Sequence, residues 1–193
     1  MTARALLLLV LSGLPGLGAA QTVERSARIQ QLTAQLARAG SVESQGIGFS
    51  ARPSVQYMYF DSLRAYCTEA EIRQLVTHQA PAVRCYAFWA LTERPEAELW
   101  SLLAGHRRDF ALVRTRFGCN SGVENVADLM LSIYEDTPQY QADSLTAGKA
   151  VLIRKLQARA EARSDRHLRR LRSRRYRRHM TQLVQRLDAR RDD

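Results

Sequence analysis

The sequence predicts an all-α protein, with a leading helix before a helical body and a long basic helix at the C-terminal end. Apolar residues recur at helical spacing through most of the 193 residues, capping-box pairs and prolines mark helix starts, and no useful run alternates between apolar and polar residues. We therefore divide the chain into a signal peptide (1–20), a leading helix and loop (21–54), a helical domain (55–140) and a basic helical tail (141–193).

The first residues have the layout of a Sec-type signal peptide. Arg4 precedes an apolar stretch over residues 5–11, and small residues at Gly18 and Ala20 suit a signal peptidase. We expect cleavage before Gln21 and export to the periplasm or the exterior; a buried N-terminal helix is the other interpretation. Because the apolar stretch is shorter than the roughly 20 residues of a membrane span, we expect no transmembrane segment in the mature chain.

Charge and aromatic content divide the chain into two parts. Residues 154–193 hold 15 basic and 5 acidic residues, which accounts for the whole net charge of +10, and 13 of the 14 aromatic residues lie in residues 49–140. Because large side chains dominate core burial, we expect the packed core within residues 49–140.

The leading helix is expected over residues 23–39. Leu32 and Leu36 lie on one helical face, and Gly40 stands where a glycine commonly ends a helix. The segment over residues 41–54 contains glycine and proline and has no apolar period, which predicts a loop.

Helix starts are marked along the helical domain. Thr68 and Glu71 have the spacing of a capping box, in which each side chain bonds the backbone N–H of the other. Pro81 suits the first turn of a helix, where its missing N–H costs nothing. Ser121 and Glu124 repeat the capping-box spacing before the last apolar stripe. The body is therefore predicted to be a series of short helices joined by short connections.

Residues 81–91, PAVRCYAFWAL, have the arrangement V-R-x-x-A-x-x-A-L and resemble the second helix of a HEAT repeat. The helix predicted over residues 69–77 would be its antiparallel partner, and a second, degraded unit would include Val113 and Arg114. The body is also similar to exported HEAT-like proteins of the Bacteroidetes type. This resemblance implies a short α-solenoid-like stack of helix pairs, which offers a surface to a partner and carries no catalytic site by itself.

Two residues of this helix are predicted to bind a partner. Phe88 lies off the inward face that Val83, Ala87 and Leu91 set, and we expect it to contact a protein or peptide. Arg84 can reach along the stack to a carboxylate or a carbonyl. The other aromatic residues of the helix are expected in the core, because a stripe at helical spacing is more often core than ligand platform.

An oxidising compartment makes disulfides possible. We favour a bond between Cys85 and Cys119; three small buried thiols, with Cys67 as the third, are the other interpretation. A Cys-dependent enzyme that uses Cys119 with His106 is conceivable, but no motif supports it. No phosphate loop, nucleophile elbow or paired-histidine spacing is present either, so we expect no catalysis, cofactor or metal.

Arginines of the tail surround a thin apolar line and predict contact with an anionic lipid or polysaccharide surface. A solvated helix is the other interpretation, and nucleic acid is disfavoured by export and by the single tail aromatic, Tyr176. The residues concerned are Arg169, Arg170, Arg172, Arg174, Arg175, Arg177 and Arg178. The sequence thus predicts an exported, non-catalytic module that binds a protein or peptide through its helical body, with binding of an anionic envelope surface or polyanion through the tail as the alternative.

Overall fold

The structure is a computed structural model that describes residues 16–94 and 97–166, with side chains described from residue 22 onwards. Over these residues the chain forms eight helices and one four-stranded sheet. The helices are α1 (Gly16–Ala39), α2 (Val55–Tyr66), α3 (Glu69–Leu75), α4 (Pro81–Thr92), α5 (Leu99–His106), α6 (Val126–Glu135), α7 (Pro138–Ser144) and α8 (147–166). The strands are β1 (Ser41–Ile47), β2 (Arg52–Pro53), β3 (Leu112–Gly118) and β4 (Asn120–Asn125).

Three of the predicted helix signals are confirmed. Gly40 follows α1 with φ of +61°, and its N–H donates to the carbonyl of Leu36 at 3.2 Å. Thr68 and Glu71 form the capping box of α3: the Thr68 hydroxyl accepts from the Glu71 N–H at 3.3 Å, and the Glu71 carboxylate accepts from the Thr68 N–H at 2.7 Å. Pro81 lies in the first turn of α4.

The prediction that the chain contains no strand is wrong. Residues 41–54, predicted as a loop, contain β1 and β2, while Val113 and Arg114, predicted in a degraded HEAT unit, lie in β3. The sheet order is β2-β1-β3-β4; β1 runs parallel to β3, and the other two pairs are antiparallel.

β3 carries a period-two pattern that the helical interpretation overlooked. Val113 and Thr115 are buried, whereas Leu112, Arg114 and Arg116 are exposed. The hydrophobic period is weak because a threonine occupies one inward position and a leucine one outward position. β1 gives no alternating signal at all, since its first three residues are all buried.

The predicted capping box of Ser121 and Glu124 is also wrong, because both residues lie in β4. The helix that follows begins at Val126 and is capped by Asn125, whose side-chain oxygen accepts from the Asp128 N–H at 3.0 Å. Asparagine is as good an N-cap as serine, so the chain uses the cap nearest the apolar stripe.

α4 is the central helix. It contacts β1 and β3 as well as α1, α2, α3, α5 and α6, and it is therefore buried on nearly every side. The core also includes Leu32 and Leu36 of α1 and Ile153 and Leu156 of α8, so the prediction of a core within residues 49–140 is too narrow.

The described chain is mostly helical, as predicted. α3 packs against α4, the arrangement expected of a first HEAT unit, but strands follow α5 where the second helix of a second unit was expected. Over residues 16–94 and 97–166, none of the helices has the combination of length and apolar character that crossing a bilayer requires.

Candidate functional site

A cleft of about 930 Å³ lies between the hairpin of β3 and β4 on one side and helices α6 and α8 on the other. Its rim on the hairpin side includes Leu112 and Val123, which are 69% and 49% exposed. Leu131 of α6 and Ala160 of α8 contribute apolar surface on the opposite wall. The site therefore combines a strand, two helices and accessible apolar side chains.

Small side chains on α8 create this space. Ile153 and Leu156 pack into the core, but Ala160 and Ser164, which follow on the same helical face, line the cleft. Neither small side chain is long enough to fill the gap between α8 and α6. Two of the six α8 residues that line the cleft thus have small side chains.

Polar contacts hold α8 at this distance from α6. Arg163 forms two hydrogen bonds with Asp128, one of them from Nε to Oδ2 at 2.7 Å, and its guanidinium lies 5.4 Å from the ring centroid of Phe110. One turn and a half earlier, the Gln157 amide donates to Glu135 at 2.7 Å. The two helices are therefore joined at both ends of the cleft.

The edge of β4 opens onto the cleft. Val123 pairs with the exposed Arg114 of β3 and lies on the outer face of the sheet. Its neighbour Glu124 lies on the inner face, where its carboxylate accepts from the hydroxyl of buried Thr115 at 3.0 Å. Both residues line the cleft although they project to opposite faces, so the cleft lies against the edge of the strand.

No strand pairs with this edge among the residues that the structure describes, because β4 is the last strand in the sheet order. An edge strand presents unpaired backbone N–H and C=O groups that can pair with another chain. β4 contains no lysine or proline to block such pairing, and its one charge, the inward-pointing Glu124, accepts a hydrogen bond from Thr115.

The cleft is acidic. It is lined by Glu124, Asp128, Glu135 and Glu161, against two cations, Arg163 and Arg166. Arg163 forms an ion pair with Asp128, whereas Glu135 accepts a hydrogen bond from the uncharged amide of Gln157. Over the described part of the chain, Glu161 has neither a hydrogen-bond nor an ion-pair partner. Negative charge therefore exceeds positive charge here, in a protein whose net charge is +10.

The two predicted partner-binding residues do not reach this surface. Phe88 has no exposed area, because α4 is surrounded by five helices and two strands and is not an outer helix of a two-layer stack. Arg84 does reach a carboxylate, as predicted, but that carboxylate is Asp109 of the same chain. Phe88 is thus a core residue, and Arg84 is engaged inside the fold.

The predicted disulfide between Cys85 and Cys119 is wrong. Both residues and Cys67 are free thiols; Cys85 is buried in α4, and Cys119 is exposed in the turn between β3 and β4. The hairpin turn holds Cys119 at the surface, whereas Cys85 is buried, so the two thiols are not brought together. Burial raises the pKa of Cys67 to about 11 and raises that of Cys85 further, so both thiols stay protonated at neutral pH.

The conceivable pair of Cys119 and His106 is not formed. The ring nitrogens of His106 lie 2.9 Å from the carbonyl oxygen of Leu102 and 3.0 Å from that of Val76, so the ring is committed to backbone contacts. Across residues 16–94 and 97–166, no group of three or more acidic, histidine or cysteine side chains has the arrangement of a metal site.

A buried polar cluster surrounds Glu43 of β1. Its carboxylate accepts from the hydroxyls of Ser41 at 3.1 Å and Ser54 at 2.7 Å, and Ser54 also caps α2. The Tyr86 hydroxyl accepts from the backbone N–H of Glu43 at 2.8 Å. Because Ser54 is only 1% exposed, a substrate has no access to this cluster. We interpret it as the joint between β1, α2 and α4.

A second cleft, of about 880 Å³, lies between α1 and α2. Arg25 on its wall is already engaged, since it donates to the carbonyl of Tyr66 at 2.7 Å and to Glu71 at 2.8 Å. No strand edge borders this cleft, and its walls give no comparable reason to expect a particular ligand.

The predicted anionic-surface arginines, Arg169 to Arg178, lie outside the described residues. The described part of the tail includes the end of α7 and all of α8, and Arg154, Lys155, Arg159 and Arg166 are exposed on α8. Comparison of the chain with known protein families, curated proteins and solved structures finds no match.

The cleft itself could not be predicted from helical periodicity, because recognising it requires β4. The small residues at 160 and 164 are the only local signal of it in the described part of α8.

Proposed function

We propose that the chain is a non-catalytic binding module that takes up an extended peptide segment of a partner protein as an additional strand beside β4. The observation that carries this proposal is the position of Val123 and Glu124: they project to opposite sheet faces, and both border the cleft. A peptide in the cleft would meet a strand edge, whose backbone groups bind main chain of any sequence.

Exposed apolar side chains support a protein partner. Leu112 and Val123 lie beside the strand edge, and Phe110 next to them is 54% exposed. Apolar side chains of this size, clustered at a cleft with a polar rim, are typical of sites that bind another chain. The main-chain pairing would supply affinity, and these side chains would supply selectivity.

We further propose that the module acts outside the cytoplasm, in the periplasm or the extracellular space. The signal-like layout of residues 1–20 supports this location. The kinship with exported HEAT-like proteins also remains a proposal, and it rests on residues 81–91 and on the packing of α3 against α4.

Selection of binding peptides tests the proposed function. A library of random peptides is panned on the immobilised full chain, and the affinities of the enriched peptides are measured for two variants. Ala160→Trp fills the cleft and should abolish binding, whereas Ala158→Trp adds the same side chain on the exposed side of α8 and should not. Circular dichroism establishes that both variants retain the fold. If the enriched peptides bind the Ala160→Trp variant with unchanged affinity, the cleft is not their site.

The peptide backbone distinguishes strand addition from other modes of binding in the same cleft. Each backbone N–H of an enriched peptide is replaced in turn by N-methyl, which removes the donor. Because alternate residues of an added strand point their N–H groups at the neighbouring strand, every second replacement should reduce binding strongly. Loss at consecutive positions, as a helical ligand would show, contradicts strand addition.

A second candidate function is the binding of an anionic envelope surface or polyanion. The observation that favours it is the exposure of Arg154, Lys155 and Arg159 on α8, at the start of the basic tail. Sedimentation with vesicles that contain an anionic lipid tests it: binding should weaken steeply as salt rises and should fall when these three residues are changed to serine. Unchanged sedimentation of the triple variant would exclude a role of α8 in such binding.

A further inference from the structure

We infer that the cleft selects a peptide in which basic and apolar residues alternate, with the basic side chains directed at α6 and α8 and the apolar ones lying beside Val123. This inference rests on the proposed function, because it assumes that the peptide is added to β4 as a strand. It follows because, at this edge of the sheet, the inner side is acidic and the outer side is apolar.

The inner side of the cleft is acidic. α6 packs against α4, and α4 contacts β3 on the inner side of the sheet, where Val113 is buried. Side chains that point inward from an added strand therefore meet the wall made by α6 and α8. Among the described residues, Glu135 and Glu161 on this wall form no ion pair, and Glu124 projects inward from β4 itself.

The outer side offers apolar contact. Val123 is the outward-facing apolar residue at the end of the exposed part of β4, and Leu112 lies at the end of the neighbouring strand. Directly opposed side chains of neighbouring strands lie about 4.5–5.5 Å apart at Cβ, which is contact distance for valine or leucine. An outward-pointing apolar residue of the peptide would cover Val123 and would extend the apolar rim.

Because side chains alternate between the two faces of a strand, these two preferences combine into a period-two pattern. A basic residue at one position and an apolar residue at the next would satisfy both sides. An acidic residue at the inward positions would be repelled by the excess carboxylates of the wall, so the sign of the charge is selected together with the spacing.

Three synthetic peptides, each long enough to pair with all of β4, test the inference on the full chain by fluorescence anisotropy. One alternates lysine and valine, one has the same composition with the lysines and valines in two blocks, and one alternates glutamate and valine. The alternating basic peptide should bind about tenfold tighter than the block peptide, which corresponds to about 1.4 kcal/mol of binding free energy. It should also bind tighter than the acidic peptide.

The outcomes separate this inference from the proposed function. Equal binding of the two basic peptides would overturn the period-two pattern, and equal binding of the acidic and basic alternating peptides would overturn the charge preference. In either case the cleft remains the site if Ala160→Trp abolishes binding, and strand addition stands if the N-methyl series shows loss at every second position. If none of the three peptides binds while library-selected peptides still do, the inferred pattern is wrong and the proposed function remains; failure of both sets rejects both.

A charge-neutralising variant identifies the wall that selects the basic residue. Glu161→Gln should weaken binding of the alternating basic peptide about threefold, the size of a partly exposed ion pair. Asp136→Asn removes the same charge from an exposed residue close to α6 that does not line the cleft, and it should leave the affinity unchanged. Equal effects of the two variants would mean that only overall charge matters and would contradict recognition within the cleft.

Discussion

Arg84 of the central helix holds Asp109 with two parallel hydrogen bonds, from Nε to Oδ2 at 2.7 Å and from Nη2 to Oδ1 at 2.9 Å. The third guanidinium nitrogen donates to the carbonyls of His78 and Gln79. Only 11% of the Arg84 side chain is exposed. Arg84 thus joins the turn that precedes α4 to the segment that leads into β3.

This geometry predicts that Arg84 matters for stability. Arg84→Ala leaves a largely buried carboxylate without its partner and should lower the free energy of unfolding by about 2–4 kcal/mol. Arg84→Lys loses the bidentate geometry and should cost about 1–2 kcal/mol. Arg73, whose pair with Glu69 is more exposed, is the control, and Arg73→Ala should cost less than about 1 kcal/mol. Urea unfolding measures all three; similar losses for Arg84→Ala and Arg73→Ala would contradict the role assigned to Arg84.

The cysteines should differ in reactivity. In the native chain without reductant, a maleimide should modify Cys119 rapidly and leave Cys67 and Cys85 unmodified, because only Cys119 is exposed. All three should react in urea. Cys119→Ser should abolish the rapid reaction, and mass spectrometry counts the labels. A native chain that reacts only after reduction would show that Cys119 forms a disulfide.

Phe88 should behave as a core residue. Phe88→Ala removes a fully buried ring and should lower the free energy of unfolding by about 3–5 kcal/mol. Met58→Ala on α2, where the side chain is 59% exposed, is the control and should change it by less than about 0.5 kcal/mol. Urea unfolding tests both. A small effect of Phe88→Ala on the free energy of unfolding would indicate that Phe88 lies on the surface, as the sequence predicted.

The capping box of α3 should make stability depend on pH. Hydrogen bonds from the backbone and side chain of Thr68 lower the pKa of Glu71 below its ordinary value of 4.5. The folded state therefore gains stability from the ionised carboxylate above that value and loses it as the pH falls through the lower folded pKa.

Thr68→Ala removes the hydroxyl, and with it the cap of the Glu71 N–H and one of the two bonds to the Glu71 carboxylate, while the backbone N–H of residue 68 remains. It should cost about 1 kcal/mol at neutral pH. The difference from the native chain should shrink in acid, at about pH 3. Thr77→Ala is the control, because the Thr77 hydroxyl donates to the carbonyl of Gln74, which does not titrate. Urea unfolding at the two pH values gives both differences, and a loss for Thr68→Ala that stays constant with pH would contradict the coupling.

Helices were predictable from the sequence because their signals are local. The cap of α3, the proline of α4 and Gly40 act within one turn, and no distant residue has to be known. The stripe of Leu32 and Leu36 is likewise buried as its spacing indicates.

The sheet was not predictable in the same way. β1 and β3 are parallel neighbours about 70 residues apart in the chain, and the burial of β1 as far as Glu43 depends on contacts with Ser54, outside the strand, and Tyr86 of α4. The alternation of buried and exposed residues in β3 depends on buried Thr115, and a search for alternating apolar residues does not count a threonine. Because the candidate site is the edge of this sheet, it could not be predicted without the strands. Phe88 was assigned to an open face of a helix stack, whereas α4 is surrounded by strands as well as helices and Phe88 is fully buried.

Amide hydrogen exchange of β4 tests the central claim most directly. In the full chain without ligand, N–H groups of alternate residues over Asn120–Asn125 should be protected by pairing with β3, while those between them should exchange rapidly at the open edge. A saturating library-selected peptide should slow the exchange of that second set. Protection of every residue of β4 in the unliganded chain, or rapid exchange that the bound peptide leaves unchanged, would contradict the account.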